Sequence, residues 1–281
     1  MIRSLLYVPG NVEKMILKAR DTAADALILD LEDAVAAEQK PDARALVAQM
    51  LREIDFGEKE VFVRVNPLAT EWGLEDTRAA VAAGATGFVI PKAENPDDVL
   101  TVSAIMQSRT RERQGKIFCL VETPRGVLAS LVLASVGDVV AGLMFGAADL
   151  ARGLGSTLSE DEHEVFVARS QVLLAARAAG VTAYDTPHFA IADLDGLRRR
   201  CQAVRNLGYD GKTVIHPSHL AIVNEVFAPT ADQIAAAERV IFALAEAQAA
   251  GRGVASLDGK MIDQVHLAAA RKVLKQASAG S

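Results

Sequence analysis

Six polar side chains stand directly after short apolar segments, and their types are those that bind and activate small acids. They are Asp30, Arg64, Lys92, Glu122, Asp149 and His216. Segments such as Ala-Leu-Ile-Leu and Phe-Cys-Leu-Val predict buried strands. In a parallel β/α barrel the carboxyl ends of the strands meet on one face, and the active site lies there. The pattern therefore predicts one shared pocket built from several strand ends.

Glu122 and Asp149 form the pair with the most specific chemistry. Two carboxylates that converge on one point repel each other unless a cation lies between them. Hard oxygen ligands with room left for water suit Mg²⁺, which usually takes only one or two protein carboxylates. The alternative is that one of the two pairs with an arginine, such as Arg125 or Arg152.

Arg64 ends the segment Val-Phe-Val-Arg and can offer its planar guanidinium to a substrate carboxylate. Its alternative partners are the acids of Asp30-Leu31-Glu32-Asp33, and both roles can hold at once. Asp30 and Glu32 face the same way if the strand continues, so their repulsion requires a nearby cation.

Three further residues have weaker signals. Lys92 can form a Schiff base if desolvation lowers its pKa, and the alternative is a pair with a nearby acid. Asp185, in Ala-Tyr-Asp-Thr-Pro, is expected at the rim of the same pocket. His216 precedes Pro217 and is expected either to contact a ligand or to serve the structure.

The elements that must position these residues alternate between strand and helix. The predicted strands are Ser4–Val8, Ala26–Asp30, Val61–Val65, Gly87–Ile90, Ile117–Val121, Val139–Phe145, Val181–Tyr184 and Gly211–Ile215. Eight strand–helix units predict an α/β fold, a TIM (β/α)8 barrel, over residues 1–228. One of its helices is expected to run from Asp161 to Ala179. An open doubly wound sheet is the alternative, but its glycine-rich dinucleotide turn is missing from the sequence. Residues 229–281 are predicted to form a C-terminal helical extension, either a cover, an arm or a lid.

Composition limits the classes of partner. The 281 residues carry a net charge of -6, which argues against nucleic-acid binding because phosphates reward a basic face. No uncharged apolar segment is long enough to cross a bilayer, and the apolar segment at the amino terminus is too short for that of a signal peptide. Two cysteines cannot build a disulfide framework. We therefore expect a cytoplasmic protein without a membrane or nucleic-acid partner.

Seven segments resemble, in order, the citrate lyase β-subunit-like group of the HpcH/HpaI aldolase superfamily, which includes citryl-CoA, malyl-CoA and citramalyl-CoA lyases. They are residues 3–11, 27–35, 63–66, 121–126, 145–150, 211–217 and 259–263. The resemblance spans nearly the whole chain. It implies the barrel and a function, but not one substrate.

The resemblance also assigns roles to residues. It implies Mg²⁺ bound by Glu122 and Asp149, with Arg64 and Glu122 binding the substrate. Arg64, Asp30 and Glu32 are implied to act in catalysis, the acids by orienting Arg64 and the water molecules around the metal. Coenzyme A contacts are implied for Tyr7, Lys18, Ile215 and His216.

A C-terminal acid of the family is matched by Asp263. In relatives this acid reaches over the site of a neighbouring subunit, which implies a homotrimer or hexamer with Asp263 as acid and base. Gln264-Val265-His266 follows where relatives often have a proline, so the path of the segment departs from the pattern here.

The activity implied is that of a Mg²⁺-dependent carbon–carbon lyase. It would cleave a 3-hydroxy-carboxyacyl-CoA of the citryl, malyl or citramalyl type to acetyl-CoA and a 2-oxo acid. The alternatives are a malyl-CoA-type thioesterase and a citrate lyase β subunit that needs a carrier protein.

Overall fold

Eight parallel strands close into a barrel in this computed structural model, which describes residues 2–108 and 115–278. The strands are β1 Ser4–Pro9, β2 Ala26–Asp30, β3 Glu60–Arg64, β4 Gly87–Ile90, β5 Lys116–Val121, β6 Val140–Phe145, β7 Thr182–Asp185 and β8 Gly211–Val214. Each strand pairs with the next in sequence, and β8 closes the barrel on β1 with Thr213 opposite Leu5. The prediction of a TIM barrel with C-terminal helices is confirmed.

Helices connect the strands around the outside of the barrel. They are α1 Glu13–Arg20, α2 Lys40–Glu53, α3 Gly73–Ala82, α4 Pro96–Gln107, α5 Pro124–Ala134, α6 Ala147–Gly153, α7 Phe166–Ala178, α8 Leu194–Leu207 and α9 Leu220–Phe227. Several begin at sequence-encoded caps. Asn95 and Thr123 accept hydrogen bonds from backbone N–H groups in the first turns of α4 and α5, and each is followed by a proline that needs no N–H partner.

Large side chains fill the barrel interior. The Phe62 and Phe118 rings lie 4.8 Å apart, and Tyr184 meets Phe118 edge-on at 5.3 Å. Gly87 leaves room for this layer, since a Cβ there would lie 2.5 Å from Phe62 Cδ1. A filled interior of this kind leaves ligand space only at the ends of the barrel.

The predicted helix from Asp161 to Ala179 is wrong at its start, because α7 begins at Phe166. Glu162 adopts a left-handed backbone with φ 52°. Ser159 donates from its backbone N and its hydroxyl to the Glu164 carboxylate, at 2.5 and 2.7 Å. These local bonds offer the backbone an alternative to the helix.

The C-terminal unit begins at Asn224 and has its own small core. It contains α10 Ala231–Ala249, a hairpin of β9 Ala255–Leu257 and β10 Lys260–Ile262, and α11 Gln264–Ser278. Thr230 and Gln233 form a capping box at the start of α10. Leu244, Ile262 and Leu267 pack together. The hairpin was not part of the helical extension predicted for residues 229–281.

None of the helices in the described part of the chain combines the length and apolar composition needed to span a membrane.

Candidate active site

A cavity of about 390 Å³ opens at the carboxyl ends of the strands. Its charged lining consists of Asp30, Asp33, Arg64, Glu122 and Asp149. Its largest apolar walls are Tyr7, Leu120, Phe145, Phe189 and Ile215. Four of the six polar strand-end residues thus meet in one pocket, and Lys92 and His216 lie outside its lining.

Asp30 holds Arg64 in a two-pronged ion pair. Arg64 Nε donates to Asp30 Oδ1 at 2.7 Å and Nη2 donates to Oδ2 at 2.6 Å. The backbone N–H groups of Glu32 and Ala34 donate to the same two oxygens, so Asp30 has four donors. Burial by itself lowers the pKa of Arg64, but the Asp30 carboxylate outweighs it and the pKa lies well above its ordinary value. Arg64 is therefore a fixed cation with its fork preset.

Glu32 completes the surroundings of Arg64. Its Oε2 lies 2.9 Å from Arg64 Nη1, and its Oε1 accepts a hydrogen bond from Lys92 Nζ. Burial raises the pKa of Glu32, although Arg64 and Lys92 partly offset the effect. The pair with Glu32 raises the pKa of Lys92 against the effect of burial, which is the opposite of what a Schiff-base lysine requires. The acid-pair alternative for Lys92 is the one the structure contains.

A buried lysine fixes the loop that carries these acids. Lys40, at the start of α2, donates through Nζ to the carbonyls of Leu31 and Glu32 at 3.0 and 2.9 Å. It also donates to Asn66 Oδ1 at 2.6 Å. The loop after β2 is thereby tied to the loop after β3, and the acids keep their orientation toward Arg64.

Glu122 is buried directly after β5, and its carboxylate accepts a hydrogen bond from one donor among the described residues. The backbone N–H of Lys92 donates to Glu122 Oε1 at 2.9 Å, and Lys92 adopts a left-handed backbone with φ 47°. Burial, reinforced by the nearby carboxylates of Glu32 and Asp149, raises the pKa of Glu122 to about 8. The Arg64 guanidinium and the Lys92 N–H lower this pKa but do not offset the other effects, so the carboxylate is only partly compensated.

Asp149 lies in the first turn of α6, three residues beyond the Gly146 that follows β6. Its Oδ1 accepts a hydrogen bond from Nη2 of Arg152, a largely exposed side chain. The arginine alternative for Asp149 is thus also present. It does not remove Asp149 from the cavity, where the carboxylate faces the same space as Glu122.

The donor set of this pocket fits Mg²⁺. Glu122 and Asp149 are two hard oxygen ligands close enough to raise the pKa of one of them, and a cation between them reverses that effect. Among the described residues, no group of three or more His, Cys, Asp or Glu side chains could hold a metal by itself. A site of two carboxylates leaves positions for water and substrate, as Mg²⁺ requires.

The residues expected to contact coenzyme A are divided between the cavity and the surface. The Tyr7 ring lies 4.7 Å from the Arg64 guanidinium carbon, and Ile215 lines the cavity. Lys18 is exposed on α1. His216 is exposed and caps the turn Pro217–His219, its Nδ1 lying 2.7 Å from the Ser218 hydroxyl.

The expectation that Asp185 lines the rim is wrong. Asp185 is fully buried below the cavity mouth, between Arg169 Nε at 2.8 Å and Lys212 Nζ at 2.5 Å. Burial alone raises its pKa, but the two cations outweigh burial and lower it. The lining positions belong instead to the next residues, Thr186 and Pro187.

Asp263 lies in the C-terminal unit, between β10 and α11. Its Oδ1 lies 2.8 Å from His266 Nδ1 and accepts a hydrogen bond from the Val265 N–H at 3.0 Å. The contact with His266 lowers the pKa of Asp263. His266 is thus a direct neighbour of this carboxylate.

Residues that the sequence did not single out also shape the site. Lys40 gave no signal because a lysine near a helix start is ordinarily exposed. Thr186 and Thr213 line the cavity and bind backbone groups, Thr186 Oγ1 accepting from the Ala147 N–H and Thr213 Oγ1 donating to the Asp185 carbonyl. The Gly-Lys-Thr-Val-Ile-His segment was a signal that could have indicated Thr213.

Residues 3–217 match the family model described as HpcH/HpaI aldolase/citrate lyase. The chain belongs to this family. It is 40% identical over 277 residues to a (3S)-malyl-CoA thioesterase of Cereibacter sphaeroides, covering 99% of this chain and 95% of that protein. It is 37% identical over 283 residues to the citrate lyase subunit beta of Haemophilus influenzae, covering 99% and 97%. Members of the family are therefore enzymes, and their reactions are not all of one class.

A solved structure gives the same assignment. The CitE protein of Mycobacterium tuberculosis, in complex with magnesium, acetoacetate and coenzyme A, superposes with a TM-score of 0.81. The two chains are 32% identical, and 98% of each is covered. The prediction of Mg²⁺ as the cofactor of this family is confirmed by that complex. So is the resemblance to citrate lyase β subunits.

Proposed function

We propose that this protein is a Mg²⁺-dependent carbon–carbon lyase that cleaves a 3-hydroxy-carboxyacyl-CoA to acetyl-CoA and a 2-oxo acid. The observation that carries the proposal is the convergence of Arg64 with Glu122 and Asp149 in one cavity at the barrel mouth. A preset cation and two converging carboxylates are what a hydroxy acid and a divalent metal require. The family assignment supports the same chemistry.

Arg64 binds and orients the substrate carboxylate in this proposal. Asp30 binds Nε and Nη2 of the guanidinium, and Glu32 and Asp33 lie beside Nη1, so the substrate carboxylate meets the Nη groups in competition with these acids. Because Lys40 fixes the loop and Asp30 fixes the fork, the cation is preorganised before the substrate arrives. Glu32 and Asp30 act through Arg64 and are positioning residues.

Glu122 and Asp149 are the residues that would hold Mg²⁺. When bound, the metal supplies Lewis-acid polarisation of the substrate hydroxyl and carboxylate oxygens. The Lys92 backbone N–H donates to Glu122 Oε1 and so restricts rotation of the carboxylate. The other carboxylate oxygen is left for the cation.

The bond that breaks joins the carbinol carbon to the α-carbon of the thioester. A base takes the hydroxyl proton, the carbinol carbon becomes the 2-oxo group, and the electron pair passes to the thioester as an enolate. Returning a proton to the α-carbon gives acetyl-CoA, so atoms and charge balance. We assign both proton transfers, as base and then as acid, to Asp263 of a neighbouring copy in a homotrimer or hexamer. Asp263→Asn with an intact fold and unchanged turnover would remove Asp263 from the mechanism.

Thioester hydrolysis is the second candidate, favoured by the 40% identity to a (3S)-malyl-CoA thioesterase along nearly the whole chain. The same cavity would then direct water to the thioester carbonyl and release coenzyme A with the hydroxy acid intact. A β subunit that depends on a carrier protein, as the similarity to citrate lyase subunits allows, would be inactive on free CoA thioesters.

Product analysis by mass spectrometry separates these candidates. The protein is incubated with malyl-, citramalyl- and citryl-CoA, with Mg²⁺ or with EDTA. The lyase predicts Mg²⁺-dependent acetyl-CoA and one 2-oxo acid, whereas free coenzyme A with intact hydroxy acid identifies the thioesterase. Glu122→Gln is expected to abolish turnover, and Asp42→Asn, a matched charge change at an exposed residue outside the cavity lining, is expected to leave it unchanged.

A further inference from the structure

Thr186 lies in the cavity wall directly after β7, outside the seven segments that carry the family resemblance. The residue is buried, and its Oγ1 accepts a hydrogen bond from the Ala147 N–H at 3.2 Å. Ala147 is the first residue of α6, and Asp149 lies in the first turn of this helix. Thr186 is thus bonded to the element that carries one of the two proposed metal ligands.

The hydroxyl proton of Thr186 has no acceptor in the described part of the chain. A threonine hydroxyl can accept hydrogen bonds and also donate one. Thr213, the other threonine of the lining, donates its proton to the Asp185 carbonyl at 2.9 Å, whereas the only bond of the Thr186 hydroxyl to a described residue is the one it accepts. A buried hydroxyl whose proton stays unpaired costs free energy. Because Thr186 lines the cavity, a ligand bound there can supply the acceptor.

The backbone that carries this hydroxyl is fixed on both sides. The preceding Asp185 is fully buried between Arg169 Nε at 2.8 Å and Lys212 Nζ at 2.5 Å. The following Pro187 restricts the backbone of Thr186 to extended conformations, and a β-branched side chain has few rotamers. The donor is therefore preorganised, so a ligand can use it without a cost of reorganisation.

We propose that Thr186 is a substrate-binding residue whose hydroxyl donates a hydrogen bond to an oxygen of the 2-oxo acid part of the substrate. That part carries the carboxylate and the carbinol oxygen, and in the proposed function it binds beside Asp149, on the helix to which Thr186 is bonded. A hydrogen bond to a charged oxygen is stronger than one between neutral groups, and the N–H of Ala147 polarises the hydroxyl further. This inference rests on the proposed function and adds a residue to its substrate site.

Binding of the 2-oxo acid products tests the proposal without turnover. Pyruvate and oxaloacetate are titrated calorimetrically into the protein at saturating Mg²⁺, and the acid that binds more tightly is used as the probe. Thr186→Val keeps the shape of the side chain and removes the hydroxyl, so we expect the Kd of the probe to rise about tenfold or more. Thr186→Ser keeps the hydroxyl and should hold the Kd within about threefold of the wild-type value.

A purely structural role of Thr186 gives a different result. If the hydroxyl only positions Asp149, Thr186→Val weakens the binding of Mg²⁺ alone and leaves the Kd of the probe at saturating Mg²⁺ unchanged, which would overturn the inference. An equal loss of affinity in Thr186→Ser would overturn it as well. Thr77→Val is the matched control and should bind the probe as wild type does, because Thr77 is fully buried outside the cavity lining and its hydroxyl donates to the Gly73 carbonyl at 2.9 Å.

Thermal unfolding checks the fold of each variant. If Thr186→Val does not fold, Thr186→Ala takes its place with the same expected rise in Kd, since the smaller side chain lets water reach the Ala147 N–H. The outcomes that overturn the inference leave the lyase function standing. A wild-type protein that binds neither oxo acid in the presence of Mg²⁺ would overturn the proposed function and the inference with it.

Discussion

Gly146 has no side chain, and this leaves the space that Glu122 occupies. The substitution Gly146→Ala, which adds one methyl group, tests whether the position of Glu122 depends on that space. A Cβ on Gly146 would lie 2.6 Å from Glu122 Cβ and 2.8 Å from Oε2. Ordinary contacts begin at 3.4 Å, so the two residues must separate by about 0.8 Å. Glu122 Cβ is fixed to the end of β5, and the Gly146 N–H is bonded to the Val121 carbonyl at 3.0 Å. The strain therefore cannot be relieved by rotating a free side chain.

We expect Gly146→Ala to fold, because φ -110° and ψ 96° are open to alanine. Overpacking of this kind costs about 1–3 kcal/mol of stability. Displacing a carboxylate by nearly 1 Å is expected to lower kcat/KM about a hundredfold. We expect Mg²⁺ to bind more weakly as well.

Isothermal titration of Mg²⁺, kcat/KM at saturating Mg²⁺ and thermal unfolding measure the three effects. Gly253→Ala is the matched control, because a Cβ there meets nothing within 4 Å. A folded Gly146→Ala protein with wild-type Mg²⁺ affinity and wild-type kcat/KM would refute the reasoning.

Three other predictions concern charges. In metal-free protein the pKa of Glu122 is about 8 in the fold against an ordinary 4.5. The free energy of unfolding should therefore fall as pH rises from 4.5 to about 8, by about 1.4 kcal/mol per pH unit. Urea unfolding at several pH values should show this slope, and Glu122→Gln should lack it. Borohydride with pyruvate should give no adduct by mass spectrometry, because Lys92 is held protonated by Glu32, and a trapped adduct at Lys92 would contradict this. Asp185→Asn should destabilise the fold by about 3–5 kcal/mol at pH 7, since it leaves Lys212 buried without its anion and Arg169 with only its pair to Glu162. The wild-type contribution is present above pH about 4 and is lost as pH falls through the lowered folded pKa of Asp185; an Asp185→Asn protein as stable as wild type would show that the ion pairs contribute nothing.

The barrel could be predicted from the sequence because its strands are short, apolar and bounded by caps and glycines. Each of the eight was placed to within one or two residues. The start of α7 could not be predicted, because the left-handed backbone of Glu162 and the Ser159–Glu164 hydrogen bonds override an otherwise helical pattern. The short helix α6 was also missed, since seven residues after a strand give no helical period.

At the site, the residues that gather were predictable and their partners were not. Strand position shows that Arg64 and Glu122 share a face, but not that Asp30 binds the guanidinium by two prongs. Asp185 illustrates the limit. One residue along a strand separates the cavity from the buried interior, and only the positions of Arg169 and Lys212 decide that its carboxylate points inward.

The measurement that tests the proposed reaction most directly is the mass of the acetyl-CoA formed from citramalyl-CoA in D₂O with Mg²⁺. Carbon–carbon cleavage through a thioester enolate predicts one deuterium in the acetyl group, pyruvate in equal amount, and loss of both products with EDTA. Free coenzyme A with intact citramalate, and no labelled acetyl-CoA, would contradict the lyase function.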